Sequence, residues 1–239
     1  MNGRHAGAVA NPGAGVRGQW TKRRRSRLTR RQADILGNIL SPSEGAIIAS
    51  DISPALAALR EATRELHATL DAASPLNADG FSSADYLAYA SRVLGWMRPV
   101  ERHLYSAGLA WPEALGVANR SRKSHWLEED LGEAGAAPDC PYAPAPDSLA
   151  AAYGLAYVCE GATLGGAYLY KRLLPQLAPL PLNWLRGYGA ETGAQWKAFT
   201  ASLAQEVATP AQIEAAAQMA REGFVSFERW MREGRQVQG

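Results

Sequence analysis

The 239-residue sequence predicts an all-α fold, a single-domain multi-helix bundle, on three observations. Apolar residues recur at three- and four-residue spacing through most of the chain after Asp51. Helix-start signals, Ser53-Pro54 and Thr209-Pro210, open two of those stretches. No turn dipeptide separates alternating runs, and no internal repeat is present. The length suits one sizeable core.

The elements follow in order. Leu56, Leu59, Thr63, Leu66 and Leu70 mark a first helix from Pro54 to about Asp71. Ser82 or Ser83 opens a second, through Tyr86, Tyr89, Val93, Trp96 and Val100, ending before Gly108. A shorter helix covers about Ser121–Leu131. The stretch "GEAGAAPDCPYAPAP" (Gly132–Pro146) breaks all periodicity and reads as a loop. A long helix is expected from Asp147 to about Leu174, stopped by Pro175. Two more cover Asn183–Gly187 and Glu191–Gln205, and the last runs from Pro210 to about Arg232.

Charge divides the chain. Residues 1–50 hold nine Lys/Arg against two acids, leaving a net −5 for residues 51–239. The run "KRRRSRLTRR" (Lys22–Arg31) among Gly, Asn and Pro reads as a basic, disordered extension, with 51–239 as the helical domain. A solvated tail is a simpler reading of it than a nucleic-acid or membrane contact. It lacks the apolar core of a secretory signal. Cys140 and Cys159 form no disulfide framework, which suits a cytoplasmic setting. From Ser148 to Tyr170 the only charge is Glu160, but Ala, Gly and Tyr dominate and no transmembrane segment is expected.

Inside the long helix stands "YVCEGATLGG" (Tyr157–Gly166). Each interior glycine costs a helix about 0.5–1 kcal/mol relative to Ala. Gly161 and Gly165 lie one turn apart on one face, with Gly166 beside them. Close helix packing and a face laid against a planar cofactor both account for such a pattern. A dinucleotide fingerprint does not, because the GxGxxG spacing and a preceding strand are missing. In "LREATRELHATLD" (Leu59–Asp71), His67 shares a face with Thr63, Arg60 and Asp71. A packed histidine is the ordinary reading. A cation two turns earlier and a carboxylate one turn later also suit an imidazole ligand with an anchored second nitrogen.

Both motifs resemble those of the haem oxygenase family. "LREATRELH" resembles its proximal helix, and "EGATLGG" its distal helix. The resemblance continues, in order, through "WMRPVE" (Trp96–Glu101), "WLEEDL" (Trp126–Leu131), "GYGAETGAQWKAF" (Gly187–Phe199) and "FVSFERW" (Phe224–Trp230), and looks most like the bacterial, bacteriophytochrome-associated branch. It implies haem held between the first helix and a glycine-kinked distal helix. Haem is then both cofactor and substrate, cleaved with O2 at a meso carbon to biliverdin, ferrous iron and carbon monoxide. An external electron donor, a ferredoxin or an NAD(P)H-dependent reductase, is implied, and a biliverdin-accepting phytochrome is a further candidate partner. A non-catalytic haem-binding or haem-transfer protein on the same fold is the alternative.

Carried over by position, His67 is the axial iron ligand. Gly161, Gly165, Gly166 and Thr163 fall on the distal, catalytic side. Arg60, Thr63, Asp71, Tyr188 and Lys197 fall in the haem-binding set, with Arg60, Lys197 and Tyr188 toward the propionates. Many family members carry an Asp after the first distal glycine; Ala162 stands there here, leaving Thr163, backbone carbonyls or a polar side chain of another helix to hold water. His103 and His125 read as surface or packing residues. Cys159 reads as a small buried side chain, Glu160 as the partner of a cation, and "EED" (Glu128–Asp130) as a solvated face.

Overall fold

The computed structural model describes residues 52–105 and 108–236, with side chains to residue 234; the basic extension lies outside the described residues. Eight α-helices and no strand occur among them. They are α1 (Pro54–Ala73), α2 (Ser83–Tyr105), α3 (Val117–Arg120), α4 (Lys123–Leu131), α5 (Leu149–Leu177), α6 (Asn183–Arg186), α7 (Thr192–Glu206) and α8 (Pro210–Gln236). No described helix is long and apolar enough to cross a membrane.

Local chemistry sets the ends. The Ser53 hydroxyl accepts the Leu56 N–H at 3.2 Å, and the Ser148 hydroxyl accepts that of Ala151 at 3.2 Å. Ser148 is therefore the cap of α5. Thr209 and Gln212 cap α8 reciprocally, the Gln212 side chain accepting the Thr209 N–H at 2.9 Å.

Two prolines sit inside helices. Pro99 cannot donate to the Gly95 carbonyl, which instead accepts the Cys140 N–H at 2.8 Å. That bond docks the loop after α4 onto α2, where Arg98 and Arg102 also bind Asp139 at 2.8 and 2.6 Å. Pro175 does not end α5, which continues to Leu177. The missing hydrogen bond falls near the last turn, and buried Leu173 and Leu177 hold that turn in place.

The last helix is the spine. α8 packs along both α5 and α1, and α2 packs on α4. Bare backbone permits the closest of these contacts: a Cβ on Gly154 of α5 would overlap the Ala216 carbonyl of α8. Gly223 of α8 lies against Leu155 and Val158 of α5, a Cβ there meeting them at 3.1 and 3.2 Å. The "EED" stretch divides: Glu128 and Glu129 are exposed, but Asp130 is 3% exposed, contrary to the solvated face expected of it. It accepts the Tyr86 hydroxyl at 2.5 Å and the Asn183 and Trp184 amides at 2.6 and 3.0 Å, tying α2 and α6 to α4. A buried carboxylate needs such donors.

Candidate functional site

Helices α1 and α5 are joined at two levels. At the first, the Tyr157 hydroxyl of α5 meets the Thr63 side chain and the field of Arg60 on α1. Burial raises the Tyr157 pKa, and those two groups pull it back. At the second, Arg172 of α5 donates to the Leu76 carbonyl at 2.7 Å and to Asn77 Oδ1 at 2.9 Å, just past the end of α1. The two helices therefore run in the same sense. The α5 stretch between the ties is about 22 Å long at 1.5 Å per residue. Within it lie His67 and Asp71 on one side, Gly161 and Gly165 on the other, with α8 packed against both helices.

His67 is oriented from two directions. Its Nδ1 lies 3.0 Å from Asp71 Oδ2, one turn on. Its ring rests on Phe224 of α8, centroids 5.8 Å apart. The hydrogen bond to Asp71 raises the imidazole pKa above 6.5, burial opposes it, and the Asp71 charge adds to it. With Nδ1 committed, Nε2 is the nitrogen left to offer a lone pair. The side chain is 43% exposed. Among the described residues no three His, Cys, Asp or Glu side chains come together as a metal site, so this imidazole would ligate without other protein side chains.

The three glycines do not share one environment. A Cβ built on Gly161 or Gly165 meets nothing within 4 Å, so this face of α5 opens onto free space. Gly166 packs instead, 3.3 Å from the Leu185 carbonyl by the same measure. Tyr157, Gly161, Gly165, Tyr168 and Arg172 follow at spacings of four, four, three and four, forming one stripe. Tyr168, 49% exposed, lies toward its far end.

Thr163, expected at the distal side, and Tyr188, expected toward the propionates, lie behind α5. Thr163 is buried, donates to the Cys159 carbonyl of its own helix at 3.0 Å and touches Gly187. The Tyr188 hydroxyl bonds Glu160 and Lys123 at 3.0 Å each, inside a buried ion cluster. Their side-chain partners are thus protein groups, because the segment 184–188 fills the back of the helix. Lys197 is exposed on α7, next to Trp196, whose ring lies 6.0 Å from that of Tyr157. Thr63 is buried and donates to the Leu59 carbonyl at 2.8 Å, and Arg60 is exposed. His103 meets the Pro144 carbonyl at 2.8 Å, and His125 pairs with Glu129 at 3.3 Å.

Sequence reasoning missed Tyr157, although the four-residue step from Gly161 was available to find it. It also missed Arg120 and Lys123 as the partners of Glu160; their burial depends on contacts remote in sequence. Two surface cavities, of about 570 and 540 Å³, lie away from His67, one beside Tyr168 and Arg186, the other beside Arg98 and Tyr105. Neither offers a ligand like the imidazole.

The side chains and bare backbone on these two helices suit a flat, anionic macrocycle carrying a metal. One wall supplies a single free imidazole nitrogen, the other a strip of main chain that a side chain would fill. At one end Arg60 and Tyr157 offer a cation and a hydroxyl suited to carboxylates.

Residues 136–233 match the family model for heme oxygenase. The match takes in α5 and its glycines and leaves α1 outside. A solved structure of heme oxygenase from Neisseria meningitidis, described as NO- and CO-bound, superposes with a TM-score of 0.58 at 23% identity, covering 74% of this chain and 89% of that one. No curated protein matches.

Proposed function

We propose that the chain, which matches the heme oxygenase family model over residues 136–233 and shares the fold of a solved heme oxygenase, cleaves haem to biliverdin, ferrous iron and carbon monoxide. What supports the reading is His67 on α1, its Nδ1 held by Asp71, together with the bare Gly161–Gly165 backbone on α5, between the two ties that join those helices. Haem would supply the iron that activates O2 and the meso carbon that is oxidised, with electrons from a ferredoxin or an NAD(P)H-dependent reductase.

The protein's part is to hold and orient. His67 presents Nε2, while Asp71 accepts the Nδ1 proton, fixes the tautomer and keeps the ring basic. Neutral imidazole is a weaker electron donor than a thiolate, which leaves the oxygen chemistry less biased toward early O–O cleavage. Arg60 and Tyr157 would pair with the propionates and set the rotation of the macrocycle, with Lys197 assisting from α7. That rotation would decide which meso carbon is presented to α5. Gly161 and Gly165 let main chain approach the ring without a Cβ between them; a misplacement of about 1 Å can cost on the order of 10²-fold in rate.

Ala162 favours a second reading. It places no carboxylate after the first distal glycine, as a protein that binds haem without turnover also would. Purified protein plus hemin, followed by electron donor and air, separates the two. The expected outcome is a histidine-ligated Soret band that decays to a green product. A stable ferrous spectrum under excess donor supports the second reading, and failure to bind hemin sinks both. A His67→Ala protein should lose the histidine-ligated band; one that binds and degrades hemin normally refutes the axial role.

A further inference from the structure

Directly before Gly161, and pointing away from the cleft, Glu160 buries its carboxylate to 2% exposure. Its Oε2 lies 2.9 Å from Arg120 Nη1, and its Oε1 lies 2.9 Å from Lys123 Nζ. The Tyr188 hydroxyl donates to the carboxylate at 3.0 Å and accepts from Lys123 at 3.0 Å. Both cations are buried as deeply as the carboxylate. Arg120 reaches on to the Leu115 carbonyl at 2.8 Å and the Gln195 carbonyl at 3.1 Å. Lys123 donates to the Arg120 carbonyl at 2.9 Å. One side chain of α5 is thereby tied to α3, α4, Tyr188 and α7.

We propose that Glu160 is a positioning residue for the cleft: its buried ion cluster fixes the rotation and height of the 160–166 segment, so that Gly161 and Gly165 face α1. The functional half of this inference rests on the haem oxygenase reading above. Three contacts share the back of the helix. Glu160 is held by the cations, Thr163 abuts Gly187, and Gly166 abuts the Leu185 backbone. Front and back differ in kind, because the open face has no packing partner to hold it. A rotation of one residue, 100°, would bring Glu160 or Ala162 to the place of Gly161. Apolar packing alone tolerates small slips of that sort, whereas a buried carboxylate with three donors does not, since any slip strands a charge. Burial disfavours the Lys123 charge, but the Glu160 carboxylate beside it more than offsets this and raises its pKa, so the ammonium persists.

Glu160→Gln alone strands two cations and is liable to unfold the protein. The paired Glu160→Gln/Lys123→Met protein loses carboxylate and ammonium together, and Tyr188→Phe removes only the bridging hydroxyl. Amide exchange in the hemin-free proteins reads the position of α5 without any haem. Amides 161–166 should exchange about tenfold faster in the variants, while those of α2 keep wild-type protection. In the hemin–CO complexes the C–O stretching band should shift or broaden, and the ratio of biliverdin isomers should change. If both variants fold and keep wild-type exchange at 161–166, or keep the wild-type C–O band, the cluster is only structural and the inference falls. Failure of the wild type to bind hemin would instead overturn the proposed function, leaving amide exchange to decide the pinning of α5.

Discussion

His67 is decided by one carboxylate. Asp71 accepts from Nδ1 at 3.0 Å and lifts the imidazole pKa above 6.5, against burial. A metal needs the neutral ring, so a raised pKa makes protons compete with ligation to a higher pH. Asp71→Asn should lower the pH of half-ligation in a Soret titration of the hemin complex; an unchanged or higher midpoint would show that Asp71 does not govern the ring. In the hemin-free protein the sign reverses. A group with a raised folded pKa stabilises fully below its unfolded value and loses that contribution as pH rises through the folded one. The stability gap between wild type and Asp71→Asn should therefore appear just below pH 6.5 and close on the alkaline side, as urea melts would report. With the ring almost half exposed, that gap should be small. Spacing alone made the His67–Asp71 pair legible, because residues four apart on a helix must be neighbours. Asp130 was not legible: its donors come from Tyr86 and the 183–184 amides, on elements brought to it only by the fold.

At the scale of one element, α5 is a helix with different glycines on different duties. Gly154 admits the Ala216 carbonyl, Gly166 admits the Leu185 backbone, and Gly161 and Gly165 admit nothing in the protein. Alanine should separate these duties. Gly154→Ala forces a Cβ into a neighbouring carbonyl and should cost about 1–3 kcal/mol. Gly161→Ala meets no atom and should stabilise the hemin-free helix by about 0.5–1 kcal/mol, while impairing hemin turnover. Denaturant melts beside turnover assays check both; a destabilised Gly161→Ala protein, or one with full turnover, would contradict the open-face account. The helix was readable from its periodicity, and its glycines from their spacing. Which glycine packs and which stays open was not, because spacing gives the face and not what lies against it. The extension of α5 past Pro175 escaped notice for a related reason. The cost of a proline depends on where the lost hydrogen bond falls and on what the following turn buries.

Across the whole molecule, α8 carries α1 and α5 side by side, so the cleft depends on the seating of α1 as much as on α5. That seating has its own cap and buried side chains at its start. Ser53 caps the first turn through Leu56, its carbonyl accepts the Ala57 N–H at 3.0 Å, and Ala55, Leu56 and Leu59 are buried immediately after. Pro54 in the first turn has no N–H to satisfy. These described contacts at the start of α1 belong to residues from Ser53 onward. A protein beginning at Asp51 should melt within about 2 °C of the full chain, a difference under about 1 kcal/mol at this size. It should also bind hemin with the same stoichiometry and turn it over at the same rate. A melting point lower by several degrees, or a lost Soret band, would mean that the basic extension helps seat α1, and that the cleft is not complete in residues 51–239 alone.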